Sequence, residues 1–236
     1  MIHRAAGAVV AVSETYSRRI ENVLVGSRQV ESIYLGTNLQ KFGEYSPSFI
    51  TSNSTSINVG YIGTFGHSYD LPPVFEAIRI PLNDQNVNVV LHLMDGGPLE
   101  ERWREDVQDL RENVRFHGRL KYREMVSRLR SCDIAVNPIV PGSAGSIINE
   151  VCDYAAAGLP VVNTQDNQEY QQLLFGYNAK LNCIHDSKDV AKAIMSMVNE
   201  PSLRQSMGYA SRRMAEENFD RSVTYEFLAG SVDGTI

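Results

Sequence analysis

The chain of 236 residues has few cysteines and no apolar run long enough to span a membrane. Its three cysteines, Cys132, Cys152 and Cys183, are far apart among apolar neighbours, which favours buried thiols over disulfides. No stretch approaches about 18 consecutive apolar residues. The start, at residues 1–5, lacks the apolar core and cleavage pattern of a secretory signal. We therefore expect a globular protein of the cytoplasm.

Metal-binding and nucleic-acid-binding signatures are also missing. The five histidines form no HxxxH or HExxH spacing, and neither a cysteine–histidine pattern nor a DxD triplet occurs. The net charge of −6 and the pI of about 5.4 argue against a general nucleic-acid binder, which is normally basic. We expect no metal site and no nucleic-acid partner.

From residue 57 onward, short apolar strands alternate with amphipathic helices. We predict strands at residues 58–62, 87–93, 114–117, 133–138, 160–163 and 179–184. This alternation implies right-handed βαβ units. We therefore predict an α/β fold, namely a Rossmann-like, doubly wound, mostly parallel sheet of six strands.

Residues 5–56, which precede this region, do not show the same regular alternation. A strand over residues 5–12, a helix capped by Ser13 and running to about residue 25, and a strand over 30–35 are predicted. Residues 36–56 are rich in Gly, Ser, Thr and Asn and have no clear period, which indicates a linker.

Five loops follow the predicted strands at the carboxyl edge of the sheet, where such folds bind ligands, and four of them contain glycine. The first, Gly63-Thr64-Phe65-Gly66, is similar to a phosphate-binding turn, although a tight strand-to-helix turn explains it equally well. The other four are residues 95–97, 117–119, 138–145 and 163–167.

The stretch from Ser143 to Thr164 reads as a small-residue loop, a helix, a glycine stop and a buried strand. We predict that the helix begins near Ser146, where its free N–H groups favour phosphate. Its polar residues Ser146, Asn149, Glu150 and Asp153 are spaced to share one face, with Asp153 about 10 Å along the axis. The alternative interpretation is an ordinary amphipathic helix with a solvated polar face.

These stretches, in this order, resemble the nucleotide-sugar-binding, C-terminal half of retaining glycosyltransferases with the GT-B fold, the family 4-like, group 1 type. Capsule and lipopolysaccharide assembly enzymes are the members that the chain resembles most. The resemblance covers residues 57–219, and the matching stretches are YIGTFG (61–66), VRFHGRL (114–120), SCDIAVNP (131–138) and NEVCDYAAAGLPVV (149–162).

The resemblance implies a domain plan. Residues 1–38 would be a remnant of the N-terminal, acceptor-binding domain, 39–56 a linker, 57–219 the donor-binding domain and 220–236 a tail that returns to the first domain. Because the family often carries an acid or base in that first domain, the catalytic residues stay unassigned, and we expect this chain alone to bind donor but transfer little sugar.

The implied reaction moves a sugar of hexosyl type from a nucleoside diphosphate to an acceptor hydroxyl, with retention, in surface polysaccharide biosynthesis. No cofactor is implied beyond the nucleotide sugar as donor substrate. The implied partners are a glycan or lipid-linked acceptor reached through the missing domain, the inner membrane face as a peripheral contact of the full enzyme, and a second copy in a homodimer.

The resemblance also assigns a donor site. The diphosphate would lie near Gly63, Thr64, Phe65 and Gly66 and near the amides of Gly145, Ser146 and Ile147. The nucleobase would lie near His117, Gly118 and Arg119, and the ribose would lie against Asp153, whose carboxylate accepts hydroxyl hydrogen bonds.

The chain departs from the family pattern at two places. Gly145 stands where a second acid is usual, so Asn149 or Glu150 would take over part of its work. The first loop offers Thr64 and Tyr69 instead of the usual cations, which leaves phosphate to backbone amides and to Arg119, unless Arg119 is only a solvated surface residue.

The sequence leaves three other functions open. A nucleotide-sugar epimerase of the same fold would need acid–base residues, for which His67, His117 and Glu150 are the candidates. A non-catalytic nucleotide-sugar-binding half of a split enzyme would need a partner subunit. A flavodoxin-like receiver would need an acidic cluster where Thr64 and Phe65 stand.

Overall fold

The computed structural model describes residues 9–23, 30–47, 56–84 and 87–232. Eight strands and ten α-helices lie in these ranges, with a 3-10 turn at Gln108–Leu110. In chain order they are β1 Val10–Ala11, α1 Glu14–Glu21, β2 Glu31–Ser32, α2 Leu39–Glu44, β3 Ile57–Ile62, α3 Pro72–Asp84, β4 Val89–Met94, α4 Glu100–Asp106, β5 Val114–Phe116, α5 Tyr122–Leu129, β6 Ile134–Asn137, α6 Glu150–Ala156, β7 Val161–Asn163, α7 Gln168–Tyr177, β8 Lys180–Asn182, α8 Ser187–Asn199, α9 Pro201–Asn218 and α10 Arg221–Val232.

The main sheet has six strands in the order β5-β4-β3-β6-β7-β8, and each neighbouring pair is parallel. The predicted α/β fold with a Rossmann-like parallel sheet is confirmed. The chain runs outward from β3 to β5 and then returns to the other side of β3 with β6. This reversal opens a crevice at the carboxyl edge between β3 and β6, where doubly wound sheets place their ligands.

Helices cover both faces of this sheet, which is why its strands read as continuous apolar runs. All six residues of β4 are buried, although one of them, His92, is polar. One core cluster packs α3 and α8 against one face, and the chain's single tryptophan, Trp103, lies in it. A second cluster packs α5, α6, α7 and α9 against the other face.

The N-terminal segment forms a two-stranded parallel sheet of β1 and β2 with α1 beside it. The predicted cap is confirmed, because the Ser13 side chain accepts a hydrogen bond from the amide of Tyr16. Helix α1 ends at Glu21, earlier than predicted. Residues 1–8 and 24–29, which include the first half of the first predicted strand, lie outside the described residues.

The predicted linker contains a helix. Asn38 caps α2 through a hydrogen bond from the amide of Lys41, and Leu39 and Phe42 are buried against the second core cluster. The period of a six-residue helix is too short to stand out among turn residues, although Asn38 is a recognisable cap. Nearby, Thr37 pairs with Asp220 in an isolated parallel bridge and so joins the N-terminal segment to the start of α10.

The three cysteines are free thiols, as predicted. Cys132 and Cys152 are buried, and burial raises the pKa of the Cys152 thiol to about 12; Cys183 is only partly buried. In the part of the chain that the structure describes, no helix is long and apolar enough to cross a membrane.

Candidate functional site

A cavity of about 410 Å³ opens at the carboxyl ends of β3 and β4, beside the first turn of α6. We call it the edge cavity. Five residues of the predicted site line it, namely Gly63, Arg119, Asn149, Glu150 and Asp153, and Ile62, Met94, Asp95, Leu120, Tyr122 and Met125 complete it. Five of the predicted residues thus line one cavity at the predicted sheet edge, where they make up about half of its lining.

The loop after β3 is anchored by its own aromatic residue. Phe65 is fully buried and packs against Trp103 and Phe116, while its amide donates to the carbonyl of Gly96. Thr64 is exposed and Gly66 is partly exposed. Phe65, predicted near a diphosphate, thus gives its side chain to the core, and Gly63 is the residue of this loop that lines the edge cavity.

Only glycine fits easily at residue 63, because of its backbone angle and its close neighbours. Its φ of +135° lies in a region that favours glycine, and an added Cβ would stand 3.1 Å from the Tyr61 hydroxyl and 3.3 Å from Glu150 Oε1. The Glu150 carboxylate also accepts a 2.9 Å hydrogen bond from the Tyr69 hydroxyl. Loop and carboxylate therefore pack closely, with Tyr69 fixing the direction of Glu150.

The expected start of the Ser146 helix is wrong. Helix α6 begins at Glu150, with Asn149 as its N-terminal flanking residue, and it ends before Gly158, whose φ of +68° fits the predicted glycine stop. Ser146 lies in the preceding turn, where it is buried and its hydroxyl donates to Ser13 Oγ at 2.7 Å. This contact with α1 holds the turn in a non-helical conformation.

Of the four polar residues predicted to share a face, only Glu150 and Asp153 do so within α6, one turn apart. The Ser146 carbonyl accepts a 2.8 Å hydrogen bond from Gln165 Nε2. Ile147 is partly buried against the second core cluster. The amides of residues 145–147 are therefore not the free end of a helix.

Gly145 is covered by α1. A Cβ added there would stand 3.2 Å from Arg19 Nη1 and 3.7 Å from the Tyr16 hydroxyl. The position that the resemblance gives to a second acid thus lies directly under an arginine from the N-terminal segment.

The Asp153 carboxylate is held by the Tyr122 hydroxyl, which is itself bonded to Thr37. The Tyr122 hydroxyl donates to Asp153 Oδ1 at 2.9 Å, and Thr37 Oγ1 lies 2.8 Å from the same hydroxyl. Burial raises the pKa of Asp153, while the hydrogen bond from Tyr122 and the charge of Arg221 act in the opposite direction. The carboxylate expected to meet a ribose is therefore fixed before any ligand arrives.

His117 does not line the edge cavity. Its Nε2 lies 3.0 Å from His92 Nδ1, and His92 Nε2 lies 3.1 Å from Asn58 Oδ1. Asn58 Nδ2 faces Asp133 at 3.4 Å, so the amide oxygen of Asn58 accepts from His92 Nε2–H. His92 then accepts at Nδ1, and His117 must donate from Nε2. The ring of His117 belongs to this buried chain of hydrogen bonds, which removes one acid–base candidate of an epimerase.

Burial is the main cause of the low basicity of both imidazoles. It lowers the pKa of His92 to about 3, with further lowering by His117 and Arg115. It lowers the pKa of His117 to about 4, assisted by the charges of Arg128 and Arg115. Both rings are neutral near pH 7, which agrees with the tautomers deduced from their hydrogen bonds.

The remaining residues of the predicted base loop lie at the edge. Gly118 has a φ of +67° and pairs with Asp95 in an isolated antiparallel bridge. Arg119 Nε lies 3.5 Å from Asp95 Oδ1, and the Arg119 side chain is 79% exposed. This weak, solvated pair leaves the guanidinium free to turn towards a ligand.

Sequence reasoning missed Asp95 and Tyr122 as site residues. Asp95 stands in a predicted edge loop, and its φ of +152°, unusual for a residue other than glycine, is a signal that only the structure gives. Tyr122 follows the base loop in the first turn of α5, a position from which a side chain can reach the edge. Among the residues that the structure describes, no group of three or more His, Cys, Asp or Glu side chains could hold a metal ion.

A family model and a curated relative match the sequence of this chain. The model of the glycosyl transferases group 1 family matches residues 56–200. An uncharacterised glycosyltransferase of Methanocaldococcus jannaschii is 19% identical over 224 residues, which are 93% of this chain and 56% of the relative.

Two solved structures are similar in fold. Sucrose-phosphate synthase from Thermosynechococcus elongatus has a TM-score of 0.80 at 18% identity, over 98% of this chain and 59% of that chain. HepE of Anabaena, solved in complex with UDP, has a TM-score of 0.76 at 14% identity, over 97% of this chain and 64% of that chain. The chain thus spans less than two thirds of the length of each of these proteins. The chain belongs to the glycosyl transferases group 1 family, and its structural neighbours are GT-B glycosyltransferases.

Proposed function

We propose that this chain binds the nucleoside part of a nucleotide sugar in the edge cavity and forms the donor-binding part of a glycosyltransferase. The observation that carries the proposal is the position of the cavity. It lies where the strand order reverses, and it presents the fixed carboxylate of Asp153 beside the glycine turn after β3. HepE, which shares the fold, was solved with UDP bound.

The charges of the lining favour one orientation of the donor. Asp95, Glu150 and Asp153 face the cavity together with one cation, Arg119. Three carboxylates against one guanidinium disfavour a diphosphate inside but suit the hydroxyl groups of a ribose, which donate hydrogen bonds to carboxylates. We place the ribose at Asp153 and the base towards Leu120 and Met125, with the diphosphate outside, along the backbone of residues 63–66.

The finer aspects of the reaction belong to the same proposal. We propose transfer of a hexosyl-type sugar to an acceptor hydroxyl, with retention and without a metal, in surface polysaccharide biosynthesis. Support for these aspects comes from the resemblance of four sequence stretches to capsule and lipopolysaccharide assembly enzymes. Backbone amides and the Arg119 guanidinium would stabilise the charge of the leaving diphosphate. The catalytic acid or base stays unassigned.

Calorimetric titration tests the donor site. UDP, GDP and their glucose conjugates would be titrated into the wild-type chain and into Asp153→Asn, with Asp106→Asn as the matched control on the exposed surface of α4. Loss of a charge-assisted hydrogen bond worth about 1.5–3 kcal/mol predicts a weakening of roughly tenfold or more for Asp153→Asn only. Failure of every nucleotide to bind the wild-type chain would overturn the proposal.

A transfer assay tests the division of labour. Because the chain spans 59% of the similar synthase, we expect the purified 236-residue chain to bind donor but to release little sugar to any acceptor. Sustained sugar transfer by this chain alone would show that it carries the catalytic residues after all.

A further inference from the structure

We infer that Tyr122 is a positioning residue for the donor, and that Thr37 completes a chain of hydrogen bonds that presents the Asp153 carboxylate to the ribose. The inference rests on the proposed function, and it adds two residues that neither the sequence motifs nor the resemblance assigned. Thr37 lies outside the part of the chain that the family model matches, residues 56–200.

The directions of the hydrogen bonds follow from proton counting. An ionised carboxylate has no proton to give, so the Tyr122 hydroxyl donates its single proton to Asp153 Oδ1 over 2.9 Å. The Tyr122 oxygen can then only accept, so Thr37 Oγ1 donates to it over 2.8 Å. The chain runs from Thr37 through Tyr122 to Asp153, and each bond polarises the next.

The far end of this chain is held rigidly. Thr37 is 4% exposed, its amide donates to the carbonyl of Phe219 at 2.7 Å, and its carbonyl accepts from the amide of Arg221 at 3.0 Å. The preceding Gly36 packs so tightly that an added Cβ would stand 2.3 Å from the Phe219 carbonyl oxygen. Thr37 thus cannot shift without moving the segment between α9 and α10.

The pair of Tyr122 and Asp153 lines two cavities. One is the edge cavity, and the other has a volume of about 560 Å³ and is also lined by Thr37, Lys41 and Arg221. Without its bond to Tyr122, the carboxylate could turn into this second cavity towards the two cations. Holding Asp153 on the edge-cavity side is therefore the specific effect that we assign to Tyr122.

Ribose discrimination is the measurement that separates positioning from general stability. UDP and its 2′-deoxy and 3′-deoxy forms would be titrated into the wild-type chain, Tyr122→Phe, Thr37→Val and Thr37→Ser. The control is Tyr45→Phe, because the Tyr45 ring packs edge-on against Tyr122 with centroids 6.4 Å apart, yet its hydroxyl does not belong to the chain. We expect the preference for UDP over its deoxy forms to fall about tenfold in Tyr122→Phe and less in Thr37→Val. The preference should persist in Thr37→Ser and Tyr45→Phe.

The outcomes are separable. If wild-type chain binds UDP and Asp153→Asn abolishes the preference while folded Tyr122→Phe retains it, the inference is overturned and the proposed function stands. If the wild-type chain binds no nucleotide, the proposed function fails, and a second measurement still tests the chain of hydrogen bonds. The pKa of the Asp153 carboxyl, measured by ¹³C-detected titration, should then rise in Tyr122→Phe, because the variant loses the hydrogen bond from Tyr122. The neighbouring charges of Arg221 and Glu150 are the same in both proteins. An unmoved titration would show that Tyr122 does not hold this carboxylate.

Discussion

The buried pair of His92 and His117 makes the stability of the fold dependent on pH. In an unfolded chain both imidazoles have a pKa near 6.5, whereas in the folded protein burial lowers the pKa to about 3 for His92 and to about 4 for His117. Below about pH 6.5 the unfolded chain therefore binds more protons than the folded one, and stability falls as the pH falls. The loss continues until the pH reaches the folded pKa values.

The magnitude at pH 5 depends little on the folded pKa values, because both folded imidazoles are still mostly neutral there. An unfolded imidazole with a pKa near 6.5 gains about 2 kcal/mol from protonation between pH 8 and pH 5. His92 is 1% exposed, so the full effect applies to it, while partly buried His117 contributes somewhat less. Together they remove about 3–4 kcal/mol, a large share of the roughly 5–15 kcal/mol typical of a folded domain.

Urea unfolding followed by fluorescence measures this loss, since Trp103 is the only tryptophan and is buried in the first core cluster. His92→Gln keeps a donor towards Asn58 and an acceptor towards His117 but removes one titrating group. Its stability should fall by about 2 kcal/mol less than that of the wild-type chain between pH 8 and pH 5. His67→Gln, on the exposed part of the loop after β3, is the matched control. Equal losses in the wild-type chain and His92→Gln would refute the reasoning.

Two further predictions concern how distant segments dock. Gly36→Ala should destabilise the fold by about 2 kcal/mol or more, because φ at Gly36 is +60° and the added Cβ would meet the Phe219 carbonyl. The control is Gly43→Ala, where the Cβ would enter open space within α2 and should stabilise the fold by up to about 1 kcal/mol. The urea unfolding midpoints of the two variants would be compared with that of the wild-type chain. An unchanged Gly36→Ala midpoint would contradict the packing. Glu169→Gln should lower the free energy of unfolding by about 1.5–3 kcal/mol, because the Glu169 carboxylate accepts hydrogen bonds from the amide and the hydroxyl of Thr15. Hydrogen exchange at the Thr15 amide should become faster in this variant. Exchange at the wild-type rate would argue against this role of Glu169.

The sheet was predictable because its four central strands, β4, β3, β6 and β7, are buried along nearly their whole length and read as short apolar runs between polar loops. A helix cap depends only on residues close in sequence, and Ser13 is a cap that the sequence predicted. Helix α2 was not predicted, because a helix of six residues gives little periodic signal around Leu39 and Phe42. The start of α6 was placed too early because a contact with α1, remote in sequence, holds Ser146 in a turn.

Side-chain direction at the ends of the strands could not be predicted. Phe65 and His117 both stand in edge loops, yet one ring enters the core and the other turns to His92. Loop position alone predicts that a residue is near the edge, whereas the neighbours across the sheet decide which way it points. Tyr122 shows the converse, since its hydroxyl reaches Asp153 from a helix that carried no motif signal of its own.

Gly145 stands where the resemblance predicts a second acid, and the Arg19 side chain covers this position. A side chain at residue 145 would press on the Arg19 guanidinium, since even a Cβ would stand 3.2 Å from Nη1. A carboxylate there would also neutralise Arg19, for which the described residues supply no ion-pair partner. Glycine at residue 145 therefore leaves room for the Arg19 guanidinium and adds no negative charge beside it.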